Sequence, residues 1–417
     1  MPPAIAATSG STTLENLPAK RQVHVVGAGP VGLLLTALLQ PMEGFSVRLY
    51  EKRREYSRTR MVQLEPYLVA DSVESYRTDY IDGDNVEAIF DPQELEEGLA
   101  FRKSIPLDLM ALLRQWAVGF CPLNAIERAV SDLIDARGSN SVQRTVGVMT
   151  TQDAIAMLGP GDILIDCTGS RSLLRDHLLP GSGGADEGAN TLNIRLEYAL
   201  VVTFLYGQLY ACNEYCKYYK NIENVLYKFI PAVHRTYYDG SITHVTGIVK
   251  ITAEEYAAMP SRFDGPWLRA NFPSVAESMD RFIDKIKQET HGELLGNLEI
   301  IRIPLNLYRA RNATNRQWRN LPGDHPFANS PVFLVGDSAI GSPYFQSISL
   351  GLECAMFLAG LIAQRDMPLR DMLDRYELYM YKQWLRVYMR SKMIKHNKDL
   401  FESLDDPMAL LEKLHIY

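Results

Sequence analysis

The residues with the clearest chemical meaning are three glycines and one acid near the start of the chain. Gly27, Gly29 and Gly32 lie in the segment GAGPVG with the spacing G-x-G-x-x-G. The first glycine permits a tight turn, the second lets the backbone approach a pyrophosphate, and the third lets a helix pack closely on the preceding strand. Phosphate oxygens then meet the free amides of a helix N-terminus. Glu51 follows 24 positions after Gly27, where a carboxylate can accept hydrogen bonds from a ribose diol. The chemistry is dinucleotide binding, and the motif counts because of what surrounds it.

The surrounding segments have the periods that such a site needs. VHVV at 23–26 reads as a short buried strand, VGLLLTALLQ after Pro30 as a helix ended by Gln40 and Pro41, and FSVRLY at 45–50 as a second strand, which makes a βαβ unit. Two distant segments extend it. GDILIDCTGSRSLLR at 161–175 reads as a strand ending in a Thr168-Gly169 turn. Residues 331–363 read as a strand ending in Gly336-Asp337, a polar loop, and an apolar helix starting near Leu350. A carboxylate at a strand's C-terminal edge can bind a second hydroxylated chain, while helix amides polarise an electron-poor ring, a geometry that suits a flavin.

Composition narrows the class. The 417 residues are 47% apolar and 22% charged, and 43 Lys plus Arg against 50 Asp plus Glu give a net charge of −7, which excludes a disordered or fibrous chain and a basic nucleic-acid footprint. Five scattered cysteines fit reduced thiols in the cytoplasm, and the Cys212/Cys216 pair has no second half to hold a metal. The apolar stretches Val23 to Leu39, Ala199 to Tyr206 and Gly351 to Ala363 are too short or too interrupted to span a bilayer. Residues 1–20 read as a disordered lead-in and GSGGADEG at 181–188 as a linker. The fold class expected is α/β: a Rossmann-like domain from 21–185 and 331–370, a mixed-sheet substrate domain over 186–330, and a C-terminal helical segment over 371–417.

The three segments in this order resemble the class A flavoprotein monooxygenases of the p-hydroxybenzoate hydroxylase type, with some likeness to the flavin domain of the MICAL proteins. GAGPVG with Glu51 is similar to the family's ADP-binding turn, TGSRSLLR to its DGxxSxxR motif, and VGDSAIGSPYFQSISLG to its GD motif. The resemblance implies FAD, with Gly27, Gly29, Gly32, Glu51 and Gly169 on the dinucleotide, Asp337 on the ribityl chain, and the amides of Leu350 and Gly351 at the flavin ring. EKRREYSRTRMVQLEP looks like the segment that places an arginine beside the flavin, so Arg60, with Arg58 second, is assigned to the isoalloxazine edge. The activity implied is hydroxylation of an electron-rich, aromatic small molecule in secondary metabolism through a flavin hydroperoxide, with NADH or NADPH as transient reductant and O2 as co-substrate.

Several positions depart from the family pattern. Thr168 stands where the family has an Asp, Leu107 where it has an Arg, Ile340 where a His is common, Gln346 and Ser349 where glycines are common, and Gly351 where an Asn is common. Thr168 and Leu107 favour a flavin oxidase, or an oxygenase reduced by a partner, as the alternative. A halogenase would show a W-x-W-x-I-P segment, and Trp116, Trp267, Trp318 and Trp384 are isolated. In the 186–330 region LNIRLEYALVVTFLYG, SITHVTGIVKI and LEIIRIPLNLYRAR read as strands. Tyr206, Tyr218, Tyr219, Tyr227, Tyr237, Tyr238, Tyr308, His234, His244 and Arg302 are its polar candidates for substrate contact. The helix after residue 370 packs on the flavin domain or on a second subunit of a homodimer. Its basic run, Arg386, Arg390, Lys392, Lys395 and Lys398, reads as a solvated face before a partner surface.

Overall fold

The computed structural model describes residues 20–58, 61–79, 89–119, 121–138, 141–175, 190–207, 229–237, 242–290, 292–316, 330–342 and 347–402. In chain order the first half runs β1 (Arg21–Val26), α1 (Pro30–Leu39), β2 (Phe45–Glu51), β3 (Met61–Val62), α2 (Val73–Asp79), α3 (Pro92–Ser104), α4 (Leu107–Val118), β4 (Cys121–Pro122), α5 (Leu123–Ala136), β5 (Val142–Val146), α6 (Thr151–Ala156) and β6 (Ile163–Asp166). The second half runs β7 (Thr191–Gly207), β8 (Phe229–Tyr237), β9 (Ile242–Ile251), α7 (Ala253–Ala258), β10 (Arg262–Asp264), α8 (Gly265–Asn271), α9 (Pro273–Thr290), β11 (Leu294–Ala310), β12 (Val332–Leu334), β13 (Ile340–Gly341), α10 (Ser347–Ala363) and α11 (Leu369–Glu402).

Five strands form a parallel sheet in the order β12-β6-β1-β2-β5. Parallel strands covered on both faces read as continuous apolar runs, and β1, β6 and β12 are buried through Val23, Val25, Ile163, Leu164, Ile165, Val332, Phe333 and Leu334. The helix α1 is buried almost all round because it lies between this sheet and α10, which explains its lack of a polar face. The sheet reverses strand order beside β1, so the crevice at the strands' C-terminal ends opens over the glycine turn, as doubly wound folds require.

A second, antiparallel sheet has the order β10-β11-β7-β9-β8, with β13 paired to β11. Of its two long strands, β7 begins beside the parallel sheet and runs away from it, and β11 returns: Tyr206 pairs with Leu294 at the far end, while Tyr308 pairs with Gly341 near Asp337. One face carries a separate apolar core of Leu200, Val202, Phe204, Ile300 and Met279, covered by α8 and α9. Ala199, Ile248, Leu305 and Leu307 belong instead to the core of the parallel sheet. The α/β fold class expected from the sequence is therefore present, with both a parallel and an antiparallel sheet. Arg262–Asp264 pairs with β11 as a short strand before Asp264 caps α8, its carboxylate accepting from Trp267 N at 2.9 Å.

The terminal helix α11 corrects the reading of its charges. Leu373, Tyr376, Tyr379, Met380 and Val387 pack into the main core as the period requires. Arg386 and Arg390, however, are 5% and 7% exposed and point inward to Glu353 and Glu65. Helical period assigns these arginines to a face, and the face turns out to be lined with partner carboxylates. Lys398 lies among residues whose side chains are outside those described.

Candidate dinucleotide site

One cavity of about 410 Å³ brings the separated motifs together. It is lined by Gly27, Gly29 and Pro30 from the first turn, Glu51, Arg53 and Arg58 after β2, Thr168, Gly169 and Arg171 after β6, and Asp337 and Ile348 from the segment around β12 and α10. Every one of these segments follows the C-terminal end of a parallel strand or starts a helix. Backbone amides and positive helix ends accumulate there.

The glycines earn their places by geometry. Gly27 has φ +101°, and a Cβ there would lie 2.6 Å from the Cys167 carbonyl oxygen. A Cβ on Gly32 would lie 2.0 Å from the Gly27 carbonyl oxygen, so helix and turn are in backbone contact. At Gly29 the space is open except for Arg58, whose Nη2 would sit 3.3 Å from the missing Cβ. That cradle is shaped for an anionic group approaching the backbone.

Glu51 closes the other side of the turn. Its Oε2 accepts from Ala28 N at 2.9 Å, and its Oε1 accepts from Arg53 N at 2.9 Å and Arg53 Nε at 3.1 Å. A carboxylate has about four acceptor directions, so it retains capacity toward the cavity. Gly147 N donates to the Glu51 carbonyl oxygen at 2.9 Å, which brings Val148 and Met149 to the rim as an apolar wall beside the acid.

The two later motifs are tied into a knot around Asp166, a residue the sequence reading passed over. This carboxylate is 0% exposed and accepts from Thr168 N (2.8 Å), Thr168 Oγ1 (2.6 Å), Ser172 Oγ (2.6 Å), Leu174 N (3.0 Å) and Ser338 Oγ (3.1 Å). Ser338 Oγ in turn accepts from Gly169 N at 3.1 Å. Arg175 donates to the Ser338 carbonyl at 3.1 Å and the Ser170 carbonyl at 2.9 Å, and its guanidinium lies 5.2 Å over the Tyr308 ring. The Thr-Gly turn and the Gly-Asp turn are thus one hydrogen-bonded unit. A signal existed: an acid at the end of an apolar strand, two residues before the turn.

Asp337 lines the cavity with its backbone held by Tyr308, whose hydroxyl donates to the Asp337 carbonyl oxygen at 2.6 Å. Burial pushes the Tyr308 hydroxyl pKa up, and the nearby Asp337 charge adds to it, so Tyr308 keeps its proton as a donor. Gly341 is required for this contact, because a Cβ there would fall 1.8 Å from the Tyr308 ring.

Around α10 the structure revises the expectation. The helix starts at Ser347, three residues before Leu350, so the amides left without intrahelical partners belong to its first turn, Ser347 to Ser349. Leu350 is buried. A Cβ on Gly351 would meet Val31 Cγ2 at 2.7 Å, so Gly351 serves the close packing of α10 on α1. Ile348 is the helix residue that reaches the cavity.

Arg60 lies outside the described residues. Arg58 sits at the glycine turn and pairs with Glu127 of α5, whose side chain is 0% exposed. Leu107 begins α4, is 84% exposed and is not among the residues that line the cavity. Ile340 is buried in β13. Of the other candidates, Tyr206 is fully buried in the second core, Arg302 stacks 4.5 Å over Tyr256, and His244 is half-buried with its pKa lowered by burial against a raising influence of Glu299. Tyr218, Tyr219, Tyr227 and Tyr238 lie outside the described residues, as do Cys212 and Cys216, and nothing is described of the Tyr237 and His234 side chains. Among the described residues no cluster of His, Cys, Asp and Glu could hold a metal, and no helix is long and apolar enough to cross a membrane.

This architecture occurs in solved structures. The flavin-dependent halogenase CmlS superposes with a TM-score of 0.51 at 12% identity, over 94% of this chain and 67% of that one. The chain shares its fold. Further likenesses are to the tetracycline destructase Tet(51), with TM-score 0.49 and 12% identity over 96% and 98% of the two chains, and to 2-methyl-3-hydroxypyridine-5-carboxylic acid oxygenase, with TM-score 0.47 and 13% identity over 94% and 96%. No protein-family model and no curated protein matches the sequence. At these identities the likeness is one of fold alone.

Proposed function

We propose that the chain is a FAD-dependent monooxygenase of the class A type. The observation that carries this reading is the single cavity that gathers Gly27, Gly29, Glu51, Gly169 and Asp337 from segments up to 310 positions apart. The donor set suits FAD along its length. The amides behind Gly29 and the Arg58 guanidinium face the diphosphate, Glu51 takes the adenosine ribose diol beside Val148 and Met149, and Asp337 takes the ribityl hydroxyls. The first-turn amides of α10 give a positive field at the ring, in place of those assigned to Leu350 and Gly351. When bound, FAD would supply activation of O2 and delivery of one oxygen atom to an electron-rich substrate; the protein supplies orientation, field and exclusion of water.

The parallel sheet with residues 21–185 and 331–370 is then the cofactor domain, and the antiparallel sheet within 186–330 covers the substrate. A second reading, an oxidase or an oxygenase reduced by a partner, has specific support. The Thr168 hydroxyl is committed to Asp166 and to Leu173 N at 3.1 Å, so the turn offers no carboxylate to a nicotinamide, and Leu107 offers no cation. The lack of a W-x-W-x-I-P segment separates the chain from a halogenase activity despite the shared fold.

Purified protein is expected to be yellow with one FAD per chain, and Asp337→Ala to yield folded, largely colourless protein. Colourless wild type that takes up no FAD on titration overturns the proposal. Anaerobic mixing with NADH and NADPH, with and without candidate aromatic substrates, separates the two readings: rapid bleaching of the flavin supports the self-sufficient hydroxylase, and its absence the partner-reduced enzyme.

A further inference from the structure

We propose that Glu127 is a positioning residue of the dinucleotide site, holding the Arg58 guanidinium over Gly29 so that it meets the cofactor diphosphate already oriented. The inference rests on the reading of the cavity as a FAD site.

Glu127 breaks the pattern of its own helix. On α5 the residues Leu123, Ile126, Val130 and Ile134 form the buried face, and Glu127 sits among them, one turn after Leu123 and one before Val130. Core packing at that position asks for an aliphatic side chain. The carboxylate found there is 0% exposed; Oε1 pairs with Arg58 Nη2, while Oε2 has no hydrogen-bond partner among the described residues. Burying a charge with half its acceptor capacity unused is costly unless the single interaction it makes serves something else.

What it serves is the placement of Arg58. The Arg58 carbonyl oxygen accepts from Asn124 N at 2.8 Å, so the first two turns of α5 hold both the main chain and the side chain of this residue. Among the described residues, Arg58 Nη2 is the one atom within 4 Å of the position a Cβ would take at Gly29. Arg58 Nε is buried and without a hydrogen-bond partner among the described residues, but the side chain as a whole is 40% exposed, so the guanidinium can still meet a second anion. A long arginine side chain has large rotamer freedom, and a ligand that had to freeze it would bind more weakly. Glu127 removes that freedom before the ligand arrives. It also sets the guanidinium at the turn where a phosphate meets helix amides, in a chain that has leucine at position 107.

The test is a double-mutant cycle with FAD and ADP as probes, on wild type, E127A, E127Q, R58A and R58A/E127Q, with urea denaturation of each ligand-free protein in parallel. E127A is expected to weaken FAD and ADP alike by about tenfold, and E127Q by less because its amide oxygen still accepts from Arg58. In the R58A background, E127Q is expected to have no further effect on affinity. The proposal is overturned if E127A and E127Q bind both ligands within about twofold of wild type, if they bind more tightly, or if the R58A and E127Q effects simply add. Should E127A fail to fold, the E127Q arm and its cycle decide the matter. A wild type that binds neither ligand removes the site and this inference together; a binding wild type with an additive cycle removes the inference alone.

Discussion

Glu353 and Glu127 are both withdrawn from water, and their surroundings differ. Glu353, in the middle of α10, accepts from the Tyr76 hydroxyl at 2.7 Å, Arg102 Nη2 at 3.4 Å and Arg386 Nη1 at 2.8 Å, and both of its oxygens are used. Arg102 and Arg386 continue to the Tyr67 carbonyl and hydroxyl at 2.8 and 3.1 Å. Burial pushes the Glu353 carboxyl up, with Arg102 foremost in opposing it. Glu127 has one partner, an unused oxygen, and a place beside the cavity. The Glu353 network fastens α10 to α11, α3 and the Tyr67 segment, and Glu127 holds Arg58 beside Gly29.

The comparison can be broken by substitution. The largest effect is expected at Glu353: E353A leaves two buried guanidiniums facing each other and should cost about 3–5 kcal/mol in urea denaturation, with the FAD affinity of the folded fraction unchanged. If E353A instead released FAD from a protein of normal stability, the separation of roles would be wrong. Next comes Glu51, whose carboxylate turns toward the cavity. E51A should weaken FAD by about 1.5–3 kcal/mol, read by fluorescence titration, with a smaller loss of folding stability. Smaller again is Y308F, which removes the donor to the Asp337 carbonyl and should lower stability by about 1 kcal/mol, measured by the same denaturation assay.

The smallest concerns pH. His24 is buried on β1 between the Tyr50 hydroxyl at 3.1 Å and Asp162 Oδ2 at 3.3 Å, and burial lowers its pKa below 6.5 although Asp162 raises it. Below 6.5 the unfolded chain takes up a proton on His24 that the folded chain refuses. This contribution to stability is therefore complete above 6.5 and declines as pH falls toward the folded pKa. H24Q should flatten the urea midpoint between about pH 7.5 and about pH 5.5 relative to wild type; an unchanged slope would show that His24 carries no such linkage.

What could be read from the sequence was what short-range periodicity controls. Val23 to Val26, the helix after Pro30 and the strand before Glu51 form within thirty-one positions, and the glycine spacing between them states a geometric demand that three dimensions only enforce. Asp166 was harder, because its donors come from Thr168, Ser172, Leu174 and the distant Ser338, and only the folded chain brings Ser338 to it. Arg386 and Arg390 were misassigned for the same reason: a cation on a helix face looks solvated until the opposing carboxylate is placed. The start of α10 at Ser347, three residues before Leu350, escapes periodicity because Ser347 and Ser349 carry no strong helix signal. Glu127 was legible in principle, as a charge at an apolar position of a periodic helix.

The position of β12 in the parallel sheet carries a consequence for biosynthesis. It pairs with β6 as an edge strand, yet it leaves the ribosome after every strand of the antiparallel sheet except β13. Until residues 332–348 have emerged, a nascent chain can form the glycine turn and Glu51 but lacks Asp337, Ser338 and Ile348. The Asp166 knot also stays open, since one of its five donors comes from Ser338. Parallel pairings of such long sequence separation form late, because loop closure must precede the contact that rewards it. Completion of the pocket is therefore confined to the last stage of synthesis or to the released chain, and a chain ending between β6 and β12 has the glycine turn and Glu51 but no complete pocket.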